Sequence, residues 1–541
     1  IYHMLGGPGL WKEPFTVIDN PTNEEDEFIW PYVYIGPSPM GEEYRRVYVC
    51  GNNAADNTPS GNPSENMYFG YADFTYTDLE AQSDLDWTYF SIPLMDEWHT
   101  NTTWTRPFDG MAVSDDGKVA IMGYTVSDDS QYNDKMFVFL NDNYGEGDFT
   151  YHSFDMHIDV PEPQNQDGSY VFLNDNENPY DIYFTFIHSG HMNVIFTDGD
   201  TKLRMVGALG LQGDDPDGGD PVYWPYEIFT YTFEYDIDND AFHYRVLDGA
   251  VAETANNPNY TWGWDEIYLP WDTDNDGIID EYSEEGYVLM FSGWPIYFYD
   301  NDTAFHENNF KIVKNEEMGW LVAVWQDGLK AKYANDGEEG YEDWANAPEI
   351  AICTSIDNGE TWSDVLYLNA IDTPELADMI PEYVYPGDKV EYIDDTHGKL
   401  HLMFMNDYSF GSSIQSFGLP NGGMMTYASL SVEFIPVSAD EHKVPEISSI
   451  ITQSYPNPFR PATKSATIQF NIKKAGHVTL DVYNAMGQKV KTLVNRNLDA
   501  GTHSITWDGT NSQNYGVSSG VYFYKLKQGR YTSTKKMILM K

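Results

Sequence analysis

Apolar residues in this chain fall in short runs closed by Asn, Asp, Gly or Pro, and no 3.6-residue period persists anywhere in residues 1–451. The pattern predicts strands. Several runs share one design, in which a polar turn with Gly opens an apolar strand that leaves through Asp or Asn. Examples are Asp116-Gly-Lys-Val-Ala-Ile-Met-Gly, Ser189-Gly-His-Met-Asn-Val-Ile-Phe, Met318-Gly-Trp-Leu-Val-Ala-Val-Trp and His397-Gly-Lys-Leu-His-Leu-Met-Phe. Such recurrence points to radial repetition of small sheets rather than one barrel, with a multi-sheet sandwich assembly as the structural alternative.

Toward the C-terminus the alternation becomes strict, over Thr467–Phe470, His477–Tyr483, His503–Trp507 and Gly520–Leu526, with Gly476, Gly487, Gly501 and Gly509 expected at turns. This is the strand spacing of an Ig-like sandwich. Composition agrees with an all-β chain, since aromatics make up 16% of the 541 residues, including 41 Tyr and 15 Trp.

Charge divides the chain. The formal net charge is −57, from 29 basic and 86 acidic residues, which repels nucleic-acid backbones and anionic lipid. From Thr452 onward, however, ten Lys and three Arg face three Asp and no Glu, a net of +10, leaving 16 basic and 83 acidic residues, or −67, in the remainder. The reversal marks a boundary. The expected organisation is an acidic domain over 1–436, a linker over 437–453 and a basic domain over 454–541. With only Cys50 and Cys353, at most one disulfide is possible and no thiolate metal cluster is expected. No apolar run approaches the ~18 residues of a membrane-spanning helix, so no membrane insertion is expected. The chain opens at Ile1, as a processed export product would.

Within the basic region, Tyr455-Pro456-Asn457-Pro458-Phe459 is followed by Val478–Gly487, Ala500-Gly501-Thr502-His503 and Trp507-Asp508-Gly509. Ser519-Gly520-Val521-Tyr522 and the closing run from Lys535 and Lys536 to Lys541 complete the series. In motif order these resemble the C-terminal sorting domain of type IX secretion cargo. The resemblance implies export to the outside or outer surface of a Gram-negative bacterium, with the type IX machinery as partner. In that family the domain is usually removed when cargo is anchored to the surface, whereas this chain carries it.

In the acidic region, Ser355-Ile-Asp357-Asn-Gly359-Glu-Thr361-Trp362 resembles the Asp-box, the hairpin turn of sialidase-like β-propellers. Its chemistry is that of a turn, stapled by the Asp carboxylate, with Gly in the left-handed position and Trp packed beneath. It implies a propeller; one complete copy leaves the blade number open, and the 451 residues ahead of the Ig-like sandwich would fit about five to seven blades with long insertions.

The strongest site signal is Asp272-Thr-Asp274-Asn-Asp276-Gly277-Ile278-Ile-Asp280, where alternate carboxylates on a loop turning at Gly277 can converge on one hard cation. Structural Ca²⁺ is expected there, held by Asp272, Asp274, Asp276, Asp280 and the Ile278 carbonyl. Ser283 stands where an EF-hand carries its bidentate Glu, so the loop looks more like those of thrombospondin type 3 or dockerin-like segments. A solvated acidic loop is the other reading. Asp236-Ile-Asp238-Asn-Asp240 and Asp214–Asp220 are weaker versions, expected as exposed turns.

Sialidase chemistry needs an arginine cluster, a Tyr nucleophile and acidic partners. The acidic region has only Arg45, Arg46, Arg106, Arg204 and Arg245, which are expected to pair with acidic neighbours. His188, His191, His397 and His401 lack an HExxH-type pattern and read as loop histidines. No catalytic residue is assigned. Aromatic, polar stretches such as Asn259–Trp264 and Ser292–Pro295 suit either sugar stacking or blade packing. The expected function is a secreted or surface non-enzymatic protein, a structural, adhesive or self-assembling subunit with its C-terminal domain retained. The alternative is a secreted glycoside hydrolase or a binder of surface glycans.

Overall fold

The computed structural model describes residue 18 and residues 28–53, 67–96, 98, 105–127, 135–187, 192–219, 221–247, 262–290, 298–299, 302–303, 309–345, 347–371, 373, 376–377, 379–408, 422–434, 447–450, 459–461, 465–472, 475–484, 488–499, 501–528 and 531–540. The fold is all-β, a propeller-like series of sheets followed by an Ig-like sandwich. Among the described residues, five antiparallel sheets of four to six strands follow one another ahead of the sandwich, with the short pair Phe298–Tyr299 and Asp302–Thr303 between the third and the fourth. The chain forms two compact units, residues 1–246 with 262–293, and residues 247–261 with 294–541.

In the first unit, Phe28–Pro37, Tyr44–Asn53, Met67–Thr75 and Thr88–Ser91 form a four-stranded meander, and Thr105–Val113, Val119–Ser127, Lys135–Asn141 and Thr150–Asp155 form the next. A third, six-stranded sheet runs from Ile158–Asp159 to Ala241–Val246, centred on Lys202–Asp214 and Val222–Asp236. Tyr48, Phe69 and Met67 of the first sheet share a core with Val119, Ile121 and Phe137 of the second, so apolar faces of successive sheets close on each other.

The second unit repeats this. Lys311–Asn315, Trp320–Asp327, Glu349–Ser355 and Leu366–Leu368 make the fourth sheet. Pro381–Pro386, His397–Asp407, Gly423–Glu433 and Ile447–Ile450 make the fifth, with Glu391–Asp394 on the His397 strand. Val322, Val324 and Ile352 pack against Leu400, Leu402 and Val432. Every residue of Trp320–Asp327 is buried, as expected of a strand covered on both faces.

The segment 437–453, expected as a linker, carries the strand Ile447–Ile450, which pairs with Leu430 and Val432 and extends the fifth sheet. Its sequence is too polar to announce a strand; the exposed edge of the preceding strand supplies the partner. The sandwich has its own core of Phe459, Ile468, Val478, Leu480, Trp507, Tyr524 and Leu539, between the pair Ala466–Ile472/Gly501–Trp507 and the four strands from Gly476 to Leu539. Gly476 and Gly501 open strands rather than form turns, while Gly509, at φ +71°, is a left-handed turn residue. The helices Tyr76–Ala81 and Leu329–Asp336 are too short to leave a period in the sequence.

One turn recurs and subsumes the Asp-box. At Asn141, Asn174, Ser283, Ser355 and Asn511 a side-chain oxygen accepts the backbone N–H groups two and four residues ahead. The residue three ahead is left-handed in each, namely Tyr144, Glu177, Gly286, Asn358 and Asn514. The oxygen satisfies donors that a tight loop would leave bare. Because Ser, Asn and several αL residues all serve, the turn has no strict sequence pattern, and only its Asp-box form was legible.

Candidate functional site

The Asp272–Asp280 loop is a related turn. Asp272 is buried and accepts from Asp276 N and Gly277 N at 2.9 Å each, with Asn275 at φ +52° and Gly277 at φ +80°. Carboxylate oxygens of Asp272, Asp274 and Asp276 lie within 4.8 Å of one another. Ligands on opposite sides of a Ca²⁺ stand about 4.6–5.2 Å apart, so the three fit one such ion. Burial, opposed by the two backbone donors and supported by Asp276 and Asp280, raises the Asp272 pKa, the condition a cation would relieve. Asp280 lies outside the convergent three. Its Oδ2 accepts from Thr273 N at 2.8 Å and Thr273 Oγ1 at 2.7 Å, bracing the base of the loop, and the Ile278 side chain is exposed.

The Asp-box turn joins Glu349–Ser355 to Leu366–Leu368. Asp357 accepts from Ser355 Oγ at 2.8 Å, Thr361 N at 2.9 Å and Thr361 Oγ1 at 2.7 Å, while Gly359 sits at φ +90° over the fully buried Trp362. All three of these hydrogen bonds are internal to the turn.

Of the basic-region motif, Tyr455, Pro456, Asn457 and Pro458 lie outside the described residues. Phe459 is buried and clamped to the last strand, its N–H donating to Ile538 O and its carbonyl accepting from Met540 N, both at 2.9 Å. Trp507 is buried and donates from Nε1 to Thr510 O at 2.9 Å, and Asp508 accepts from Thr510 N at 3.1 Å and Lys491 Nζ at 3.2 Å. Gly520 opens its strand. Lys535 is buried, on the same strand face as Met537 and Leu539, whereas Lys536 faces the other way.

Among the arginines, Arg46 is held by Asp73 and Glu146, and Arg204 by Glu234, as pairing with acidic neighbours predicts. His397 bonds Asp394 at 2.9 Å. His188, His191 and the Arg106 side chain lie outside what is described. Trp262 is buried against Tyr268, a packing role. Cys50 and Cys353 are both buried, and no disulfide joins them.

A carboxylate pair escaped the sequence reading. Asp327 and Glu349 face each other in register at the end of Trp320–Asp327, roofed by the Leu329–Asp336 helix and the turn at Glu342–Trp344. Asp327 accepts from Trp325 Nε1 at 2.9 Å and Leu329 N at 3.0 Å; Glu349 Oε1 accepts from Lys330 Nζ at 3.0 Å and Asn369 Nδ2 at 2.8 Å. Glu349 is 1% exposed, and among the described residues its Oε2 has no hydrogen-bond partner. Burial pushes the Asp327 carboxyl up to about 6 and that of Glu349 to about 7, outweighing Lys330. Lys330 lies 5.3 Å from the Trp344 ring and 5.0 Å from that of Tyr367. The signal available was an Asp closing one apolar run and a Glu opening the next, which is common and unspecific. In the first unit, burial likewise lifts Asp109 to about 6, where it takes the Tyr32 hydroxyl.

The family model for the FlgD Ig-like domain matches residues 459–531. The C-terminal sandwich is similar to that domain. No curated protein matches the chain. Among solved structures, the Hadza microbial sialidase Hz136 shares 11% identity over 76% of this chain and 66% of its own, with a TM-score of 0.27. The Penicillium chrysogenum alpha-L-arabinanase shares 8% over 80% of this chain and 92% of its own, at 0.23. PorZ of Porphyromonas gingivalis, described as an essential surface component of its type IX secretion system, shares 9% over 94% of this chain and 98% of its own, at 0.13. Likenesses this distant speak to neither substrate nor role. Among the described residues no helix is long and apolar enough to cross a membrane.

Proposed function

We propose that this chain is a secreted or cell-surface protein exported by type IX secretion, a non-enzymatic structural or adhesive subunit that keeps its basic C-terminal domain in the mature form. The observation that carries the reading is the C-terminal motif series, whose Phe459, Trp507 and Gly509 are built into the core and turns of a complete Ig-like sandwich. That sandwich shares a compact unit with the fourth and fifth sheets. A basic address domain folded onto its cargo is suited to stay with it. Structural Ca²⁺ on Asp272, Asp274 and Asp276 belongs to the proposal, supported by their convergence. Copies of the chain or surface glycans are the partners it would meet outside the cell.

The test is a reporter fused to residues 437–541 and expressed in a type IX-competent bacterium and in a secretion mutant. Export in the first alone supports the address role, and intact mass of the native extracellular product reports retention. Export in neither host removes the proposal. A second reading is a secreted glycoside hydrolase, for which the buried Asp327–Glu349 pair would have to open to substrate before serving as acid and base. Turnover on a glycan panel, lost in Glu349→Gln, would establish it.

A further inference from the structure

A lysine on the core-facing side of a strand needs an explanation, because its ammonium must find a partner or be exposed. Lys535 occupies such a position, in register with the fully buried Tyr524 and two residues before the core residue Met537. Its side chain reaches out of the end of the sandwich and over the Tyr427 ring of the fifth sheet, with Nζ 3.9 Å from the ring centroid. It is 7% exposed, and its Nζ makes no hydrogen bond among the described residues, so the ring face is its nearest compensation.

On the fifth sheet the ring is held by its neighbours. The Tyr427 hydroxyl is hydrogen-bonded to His401 Nδ1, and the same imidazole stacks on the Tyr427 ring at 5.8 Å. Glu391 stands behind, 3.4 Å from His401 Nε2 and paired with Lys399. The groups facing the socket are therefore Glu391, Lys399, His401 and Tyr427 from the fifth sheet and Lys535 from the sandwich. Burial, then Lys399, pull the Lys535 ammonium down to about 8, so it stays mostly protonated at neutral pH. Burial also lowers the His401 pKa, against Glu391, which keeps the imidazole neutral beside the incoming cation.

We infer that the face of Tyr427, with its hydroxyl held by His401, is an ammonium socket whose occupant is Lys535 of the same chain, and that this contact latches the C-terminal sandwich onto the fifth sheet. The latch rests on these contacts alone and stands whether or not the domain is an export address. It places Lys535, the first residue of the closing basic run, out of reach of any partner while the sandwich is docked.

Lysine acylation footprinting on the full chain, read per residue by peptide mass spectrometry at neutral pH, tests it. Lys535 is expected to react at least about tenfold more slowly than Lys489 of the same sandwich, whose side chain is 55% exposed, and Tyr427→Ala to abolish that difference while Tyr427→Phe, which keeps the ring, preserves it. Trp507 fluorescence verifies that the sandwich remains folded. Should Tyr427→Ala fail to fold, Lys535→Met provides the reciprocal reading, since it unveils the ring and speeds nitration of Tyr427. Equal protection of Lys535 in wild type and folded Tyr427→Ala overturns the socket, because the sandwich alone would then bury it. Protection that disappears on dilution overturns the intramolecular latch in favour of exchange between copies.

Discussion

Replacing Glu349 with Gln should change how stability depends on pH. Glu349 is 1% exposed, and burial raises its carboxyl from 4.5 to about 7 despite Lys330 at 3.0 Å. Between those values the folded chain holds a proton that the unfolded chain has released. Its contribution is therefore fully present below pH 4.5 and is lost as pH rises to about 7. At ~1.4 kcal/mol per tenfold in the proton equilibrium, the loss is about 3 kcal/mol. Asp327, raised to about 6, drains stability in the same direction, whereas Lys311, whose ammonium burial lowers to about 7, works oppositely above that pH. The wild-type curve alone mixes these effects, but they cancel to first order in the difference between wild type and Glu349→Gln. Chemical denaturation of both proteins at pH 4.5, 6 and 7.5 is the assay. The variant is expected to gain about 3 kcal/mol relative to wild type across that range, most of it before pH 7. Loss of the charged Lys330 contact sets a constant offset and leaves the slope untouched. Parallel curves would refute the reasoning, showing that Glu349 ionises in the folded protein as it does in water.

Gly509→Ala should destabilise the sandwich by about 1–3 kcal/mol, read by Trp507 fluorescence in denaturant, because a Cβ at φ +71° would lie 2.7 Å from both Leu539 Cδ1 and Pro461 Cγ. Asp357→Ala removes the acceptor for Ser355, Thr361 N and Thr361 Oγ1, and a loss of about 2 kcal/mol in the second unit is expected by calorimetry. Calcium chelation should lower the first unit's melting temperature, and Asp274→Asn should blunt that response; an unchanged melt in chelator would remove the ion from the proposal. Arg46→Met should cost about 3 kcal/mol or more, measured by denaturation, since it strands the Asp73 carboxylate whose pKa that guanidinium helps to hold down.

Local chemistry was legible because it depends on neighbours in the chain. Short apolar runs between polar turns require strands, and Ser355-x-Asp357-x-Gly359 encodes its turn wherever it is placed. Three alternate aspartates ahead of Gly277 sit on one short loop, where their oxygens converge. Charge reversal after Thr452 likewise separates a basic sandwich from acidic sheets in composition alone. What the sequence could not determine are contacts between residues far apart. Asp327 and Glu349 become a raised-pKa pair only when two strands align them and a helix excludes water. Ile447–Ile450 becomes a strand because an open sheet edge offers it hydrogen bonds. Lys535 reads as a surface lysine in a basic tail until the Tyr427 ring closes over it. Desolvation is a property of the assembled surroundings, so the groups whose protonation and reach it controls were decided by the tertiary structure.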